Sequence, residues 1–165
     1  MIEKADKIDQ YDTHTSYYYR SIAHQPKKAL FSKVIPERYV ANIVIIDCES
    51  DHYRLLFDHN EAKITFFMFE LSFDAKAKRM HFYTTSSAKI RNNASIPQRG
   101  LKDKLLIGLD RGNVVELWSA RKHGEELQKI TNIEEGEDWH LDVLNSKIRL
   151  ISSQKGSFLM KSFEW

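Results

Sequence analysis

A mainly β fold is what this sequence predicts: antiparallel meanders forming a sandwich, a barrel or a strongly bent sheet, with one or two short helices. Three observations point there. Apolar residues alternate or come in short runs bounded by Asp, Asn, Ser and Gly turns. β-branched and aromatic residues crowd those runs, as a pleated surface favours. No amphipathic helical stretch exceeds about three turns, near the ordinary helix length.

Residues 1–15 are polar and charged without periodicity and read as a flexible N-terminal arm, leaving 16–165 as one β-rich domain. Within 16–23 the run Tyr17-Tyr18-Tyr19 favours an extended strand, and Pro26 opens a short helix over 25–34 that Pro36 stops. The run 39–46 is apolar on both faces, which suits a central strand. Turns at 49–51 and 58–62 bracket a strand over 52–57. The next, 63–73, sets Phe67, Phe69, Leu71 and Phe73 on one face and Ile64, Phe66 and Met68 on the other. Such a strand must be covered on both sides. A charged turn at 74–78 and a strand over 79–85 complete a four-stranded meander.

The polar interlude 86–103, with Asn92, Asn93, Pro97 and Gly100, is the best internal seam. Beyond it, 105–109 and 113–118 form a hairpin around Asp110-Arg111-Gly112, and 125–131 is a strand or a helical turn. A second meander runs through 139–144, 147–152 and 157–165. Phe163 and Trp165 suggest an end locked into a sheet.

A chain of 165 residues carries a core without staples. With 25 basic and 23 acidic residues it has no field to draw in DNA, RNA or an anionic membrane. The longest uncharged apolar stretch, 40–46, is too short to span a bilayer. No signal-like apolar run opens the chain, and Cys48 has no second cysteine to bridge, so a cytoplasmic setting is expected. Asp47 and Glu49 flank Cys48 and oppose a reactive thiolate. None of the seven histidines pairs at zinc-site spacing, so no metal and no cofactor are expected.

Two stretches resemble known families. Gly108-Leu109-Asp110-Arg111-Gly112, then Val114 to Trp118, then Gly124 to Leu127, is similar to one blade of a WD-repeat β-propeller, a Gly-Asp-Gly turn before an apolar strand ending near Trp. The resemblance covers residues 105–130 only, and at about 40–45 residues a blade the chain holds fewer than four blades. It implies incomplete propeller-like blades, a scaffold completed by self-association.

The ordered set Arg20, Thr84-Thr85-Ser86-Ser87 and Glu135-Gly136-Glu137 resembles the Arg-Ser-Glu triplet of ADP-ribosyltransferases. That resemblance implies an enzyme using NAD. Arg20 would hold the dinucleotide's phosphates with a forked cation. Ser86 would brace the site, and Glu135 and Glu137 would stabilise the positive charge building on the ribose.

The leading expectation is a non-enzymatic module that binds another protein, an inhibitor or toxin-neutralising immunity-type protein. Tyr17, Tyr18, Tyr19 and Arg20 are its candidate anchors, because aromatic and Arg side chains bury much area while freezing few torsions.

Overall fold

The apolar runs become thirteen strands in the structure, a computed structural model that describes residues 7–24, 38–86, 89–154 and 156–165. The first six are β1 (Asp9–Asp12), β2 (Tyr17–Ala23), β3 (Val40–Asp47), β4 (His52–Leu55), β5 (Ile64–Asp74) and β6 (Arg79–Thr84). After β7 (Ile90–Arg91) come β8 (Leu105–Asp110), β9 (Val115–Ala120) and β10 (Gln128–Ile133). β11 (Glu137–Asp142), β12 (Lys147–Gln154) and β13 (Ser157–Glu164) close the chain. No helix forms among the described residues, and the helix expected over 25–34 lies outside them.

Nine strands make one sheet, ordered β1-β2-β3-β5-β8-β9-β10, with β4 also on β3 and β6 also on β5. The other four form a second sheet, β13-β12-β11-β7, whose only parallel pairing is β7 on β11. The first meander differs from expectation, since β4 pairs only with β3 and the chain then splays away before entering β5. Asn42, fully buried on β3, bridges the gap. Its amide donates to the Phe57 and His59 carbonyls at 2.9 and 3.0 Å, and its oxygen accepts from Phe57 N–H at 3.0 Å. One side chain thus supplies the bonds that a neighbouring strand would have made.

The large sheet bends until its distant strands meet over a first core of Tyr19, Ile43, Ile45, Phe67, Phe69, Leu105 and Ile107. Tyr19 on β2 donates from its hydroxyl to the Lys122 carbonyl beyond β9, 2.7 Å away, and Phe57 meets Trp118 edge to face at 6.0 Å. The opposite face of β5, β8 and β9 packs on the small sheet. There Phe66, Met68, Leu106 and Leu117 meet Trp139, Leu141, Ile148 and Leu150 in a second core. The fold is therefore a strongly bent sheet backed by a smaller one, and it is not closed into a barrel.

β5 is covered on both faces, as its composition required, but not with the expected alternation. Ile64 joins Phe67, Phe69 and Leu71 in the first core, while Phe73 joins Phe66 and Met68 against the second. Register shifts between Ile64 and Phe66 and between Glu70 and Ser72 explain both exchanges. An extra residue in a strand turns every later side chain to the other face.

The lead-in also differs from an arm over its described part. Ile8 is 1 % exposed in the first core, and β1 pairs with β2 from Asp9↔Arg20 to Asp12↔Tyr17. Asp12 is buried and meets the buried Lys122 ammonium at 3.0 Å. Between β6 and β8, both in the large sheet, the described part of the interlude, 89–103, visits the small sheet, placing β7 beside β11. β8, β9 and β10, the stretch that resembles a propeller blade, form an antiparallel meander inside the large sheet. Trp165 is buried at the chain's end, its N–H donating to the Ser146 carbonyl at 3.0 Å.

Candidate functional site

Bending leaves the first core with an open side. The β3–β4 hairpin faces the loop 121–127, which returns the chain from β9 to β10. That loop is held tightly: Lys122 N–H donates to Asp103 at 2.9 Å, Arg121 N–H to the Glu125 carbonyl at 2.8 Å, and the Arg121 guanidinium pairs with Asp103. Gly124 stands at φ 97°, a left-handed conformation that suits glycine. A Cβ there would sit 3.0 Å from Ile45 and 3.2 Å from Arg54, so the loop approaches the hairpin as closely as backbone can.

Two depressions lie along this seam and share Arg54. The larger, about 430 Å³, has Leu56, Phe57, Trp118 and Leu127 as its apolar wall, with His59 and Glu125 among its polar residues. The smaller, about 200 Å³, lies between Tyr17, Ile45, Tyr53, His52 and His123. Arg54 pairs with Glu125 across the groove at 3.8 Å, both side chains being largely solvated. Such a pair is screened and holds little energy, so a ligand group can take Arg54 from it. Tyr53 stands 74 % exposed on β4, beside the groove. Burial, with Asp47 and Asp103 nearby, pushes the Tyr17 hydroxyl above the ordinary phenol range, so it stays a hydrogen-bond donor.

The four anchors read from the sequence do not share one surface. Tyr17 lines the smaller depression, and Arg20 is exposed. Tyr18, half-buried, donates its hydroxyl to Asp9. Tyr19 corrects the expectation: with 0 % exposure and its hydroxyl on Lys122, it belongs to the core and cannot touch a partner. Successive residues of a strand face opposite ways, so a run of three tyrosines cannot present all its rings to one surface. The groove-lining residues that sequence reading missed are Tyr53, Arg54, Phe57 and Trp118. Trp118 was visible only as a blade marker, and Tyr53 only as a strand residue.

The residues of the ADP-ribosyltransferase resemblance are distributed over both sheets. Arg20 is on β2 of the large sheet, and Ser86 is buried just after β6, its N–H on the Thr84 hydroxyl at 2.9 Å. Glu135 is exposed in the turn before β11, in the small sheet. Glu137 opens β11, accepting from Glu134 N–H at 2.9 Å and lying 3.7 Å from the Lys161 ammonium. Among the described residues no group of three or more His, Cys, Asp and Glu gathers as a metal site. No helix long and apolar enough to cross a membrane occurs among the described residues. Cys48 is exposed in the turn after β3.

No protein family's model matches the chain, and no similar protein is found among curated proteins or solved structures.

Proposed function

We propose that the chain is a non-enzymatic protein-binding module that grips its partner along the Arg54 groove. One observation carries this reading: two adjoining depressions meet at an arginine and are walled by Tyr17, Tyr53, Phe57 and Trp118. Aromatic rings and Arg are the residues that dominate binding energy when a partner covers them. The bent sheet presents them on short, hydrogen-bonded elements, so little ordering is left for binding to supply. The partner is a protein that lays an apolar or aromatic side chain against Trp118 and a carboxylate beside Arg54. Within this class the role is inhibitory or toxin-neutralising, an analogy resting on the small β-rich architecture alone. The setting is a reducing cytoplasm, where the lone exposed Cys48 needs no protection.

The test is capture of the tagged chain's partner from its native lysate, with the complex weighed intact, followed by variants. Tyr53→Ala and Trp118→Ala each weaken a stoichiometric complex by roughly thirty-fold, as central aromatic anchors do. Tyr53→Ala leaves unfolding free energy within about 0.5 kcal/mol, because the ring is solvated in the free protein. A complex that both variants hold at wild-type affinity removes the groove from the function.

A further inference from the structure

The edge strands are not treated alike. β1 and β4 have four residues each and β7 two, too short to template another chain. β10 carries a register irregularity between Lys129 and Thr131. The outer side of β6 is capped by Asn93, whose side chain bonds both Met80 N–H and Met80 C=O. β13 has none of these devices. Its eight residues pair with β12 from Ser157↔Gln154 to Glu164↔Lys147 without a bulge, and no described residue pairs with its other side. Phe158, Leu159 and Met160 are 64 %, 67 % and 54 % exposed on it. A long, straight, apolar edge is a template for strand addition.

Which atoms face outward follows from one bond. Trp165 N–H donates to Ser146 C=O in the same register, so the odd-numbered residues of β13 bond to β12. The N–H and C=O groups of Phe158, Met160 and Ser162 therefore point to the free edge. Two copies related by a two-fold axis can pair only antiparallel, and this parity leaves three central registers. Centred on Lys161, two ammonium groups oppose each other. Centred on Met160, Leu159 lies against a lysine. Centred on Leu159, Phe158 pairs with Met160 of the second copy, Leu159 with its own counterpart, and Ser157 with Lys161. Only this last register matches all three exposed apolar residues with apolar ones and opposes no like charges.

We infer that the chain is a homodimer in which β13 pairs antiparallel with β13 of a second copy, centred on Leu159. The two small sheets become one eight-stranded sheet. Phe158 and Met160 of both copies cluster on its outer face, and the two Leu159 side chains meet on the other. This interface is separate from the Arg54 groove, so a dimer would present two grooves. Tyr53→Ala and Trp118→Ala leave its mass unchanged, and failure of either reading leaves the other standing.

Light scattering across a concentration series is the experiment, with twice the 19.4 kDa chain mass as the expected result. Met160→Pro removes an outward N–H and no bond to β12, so it yields a folded monomer. Leu159→Lys, at an exposed position, does the same by setting lysines face to face. In a Cys48→Ser background, Leu159→Cys forms an intermolecular disulfide on mild oxidation, because directly opposed, non-hydrogen-bonded positions have the required spacing. A monomer at every concentration up to that of an NMR sample overturns the inference. So does a dimer that both Met160→Pro and Leu159→Lys leave intact.

Discussion

The two cores of this molecule solve different problems. Between the sheets, two faces meet and apolar side chains predominate: Phe66 stacks on Trp139 at 4.8 Å, with Leu141, Ile148 and Leu150 beside them. Inside the bent sheet, strands that splay apart leave backbone groups and chain ends to be satisfied, and polar side chains are buried to do it. Asn42 ties β3 to the 56–60 turn, and Lys122 ties the β9–β10 loop to Asp12 and to the Glu70 carbonyl at 2.8 Å. On the other face of β5, beside Met68, the buried Glu70 is paired with Arg99 and accepts from Lys102 N–H at 3.1 Å, a polar exception between the sheets. Curvature is therefore held by specific polar contacts, whereas stacking is held by area.

If that contrast is right, the largest losses come from single polar residues in the first core. Lys122→Met leaves Asp12 buried without its cation and should cost about 3–5 kcal/mol in urea unfolding. The double variant with Asp12→Asn should recover a large part of that loss. A loss no greater than that of an ordinary surface lysine would break the comparison. Asn42→Ala strips partners from both Phe57 N–H and Phe57 C=O. Its expected cost is about 3 kcal/mol, the sum of two unmet buried groups. Hydrogen exchange should show the added opening at 56–62 before it reaches β8.

These contacts also mark how far the sequence could be read. Strand positions were legible because apolar periodicity and turn residues are local, and ten of the expected runs fall on observed strands to within a few residues. The two bulges of β5 were not, since a run such as Thr65-Phe66-Phe67 gives no sign of which residue is extra. Ile8 sits alone among polar neighbours, so only its partners across the sheet reveal it as core. Asp12 and Lys122 lie 110 residues apart, and each looks like any solvated charge until the bend brings them together. The groove was half legible. Tyr17 was singled out, but Trp118 comes to line one depression with Arg54 only through curvature, which periodicity does not encode.

The boundary between the cores offers a smaller test. Gly108 on β8 faces the second core, and a Cβ there would lie 2.2 Å from the Phe66 ring, itself pinned by Trp139. Gly108→Ala should cost about 1–3 kcal/mol as overpacking. The loss should fall on the packing between the sheets, leaving the Arg54 groove able to bind. Trp139 fluorescence would register the displacement, and partner affinity would report whether the groove is spared.

The smallest effect belongs to the polar rim of the second core, and it is read through pH. Burial raises the Asp142 carboxyl, but the Arg149 guanidinium at 2.5 Å and the amides of Asn145 and Asn92 outweigh it and hold the group well below the usual carboxylate range. The folded state therefore binds this proton more weakly than the unfolded chain. Its contribution to stability is complete above the unfolded aspartate value of about 3.9 and is lost as pH falls through the folded value. Arg149→Met should lower the stability-against-pH curve at neutral pH and shallow its acid limb, the loss fading as pH falls through the folded value. Lys122→Met should lower the whole curve. Two variants of buried carboxylate partners, one whose loss fades in acid and one whose loss persists, would separate a charge that tunes the sheet edge from one that holds the bend. If both losses faded in acid, the bend would owe nothing to its buried lysine, and curvature would have to be explained by the β5 bulges alone.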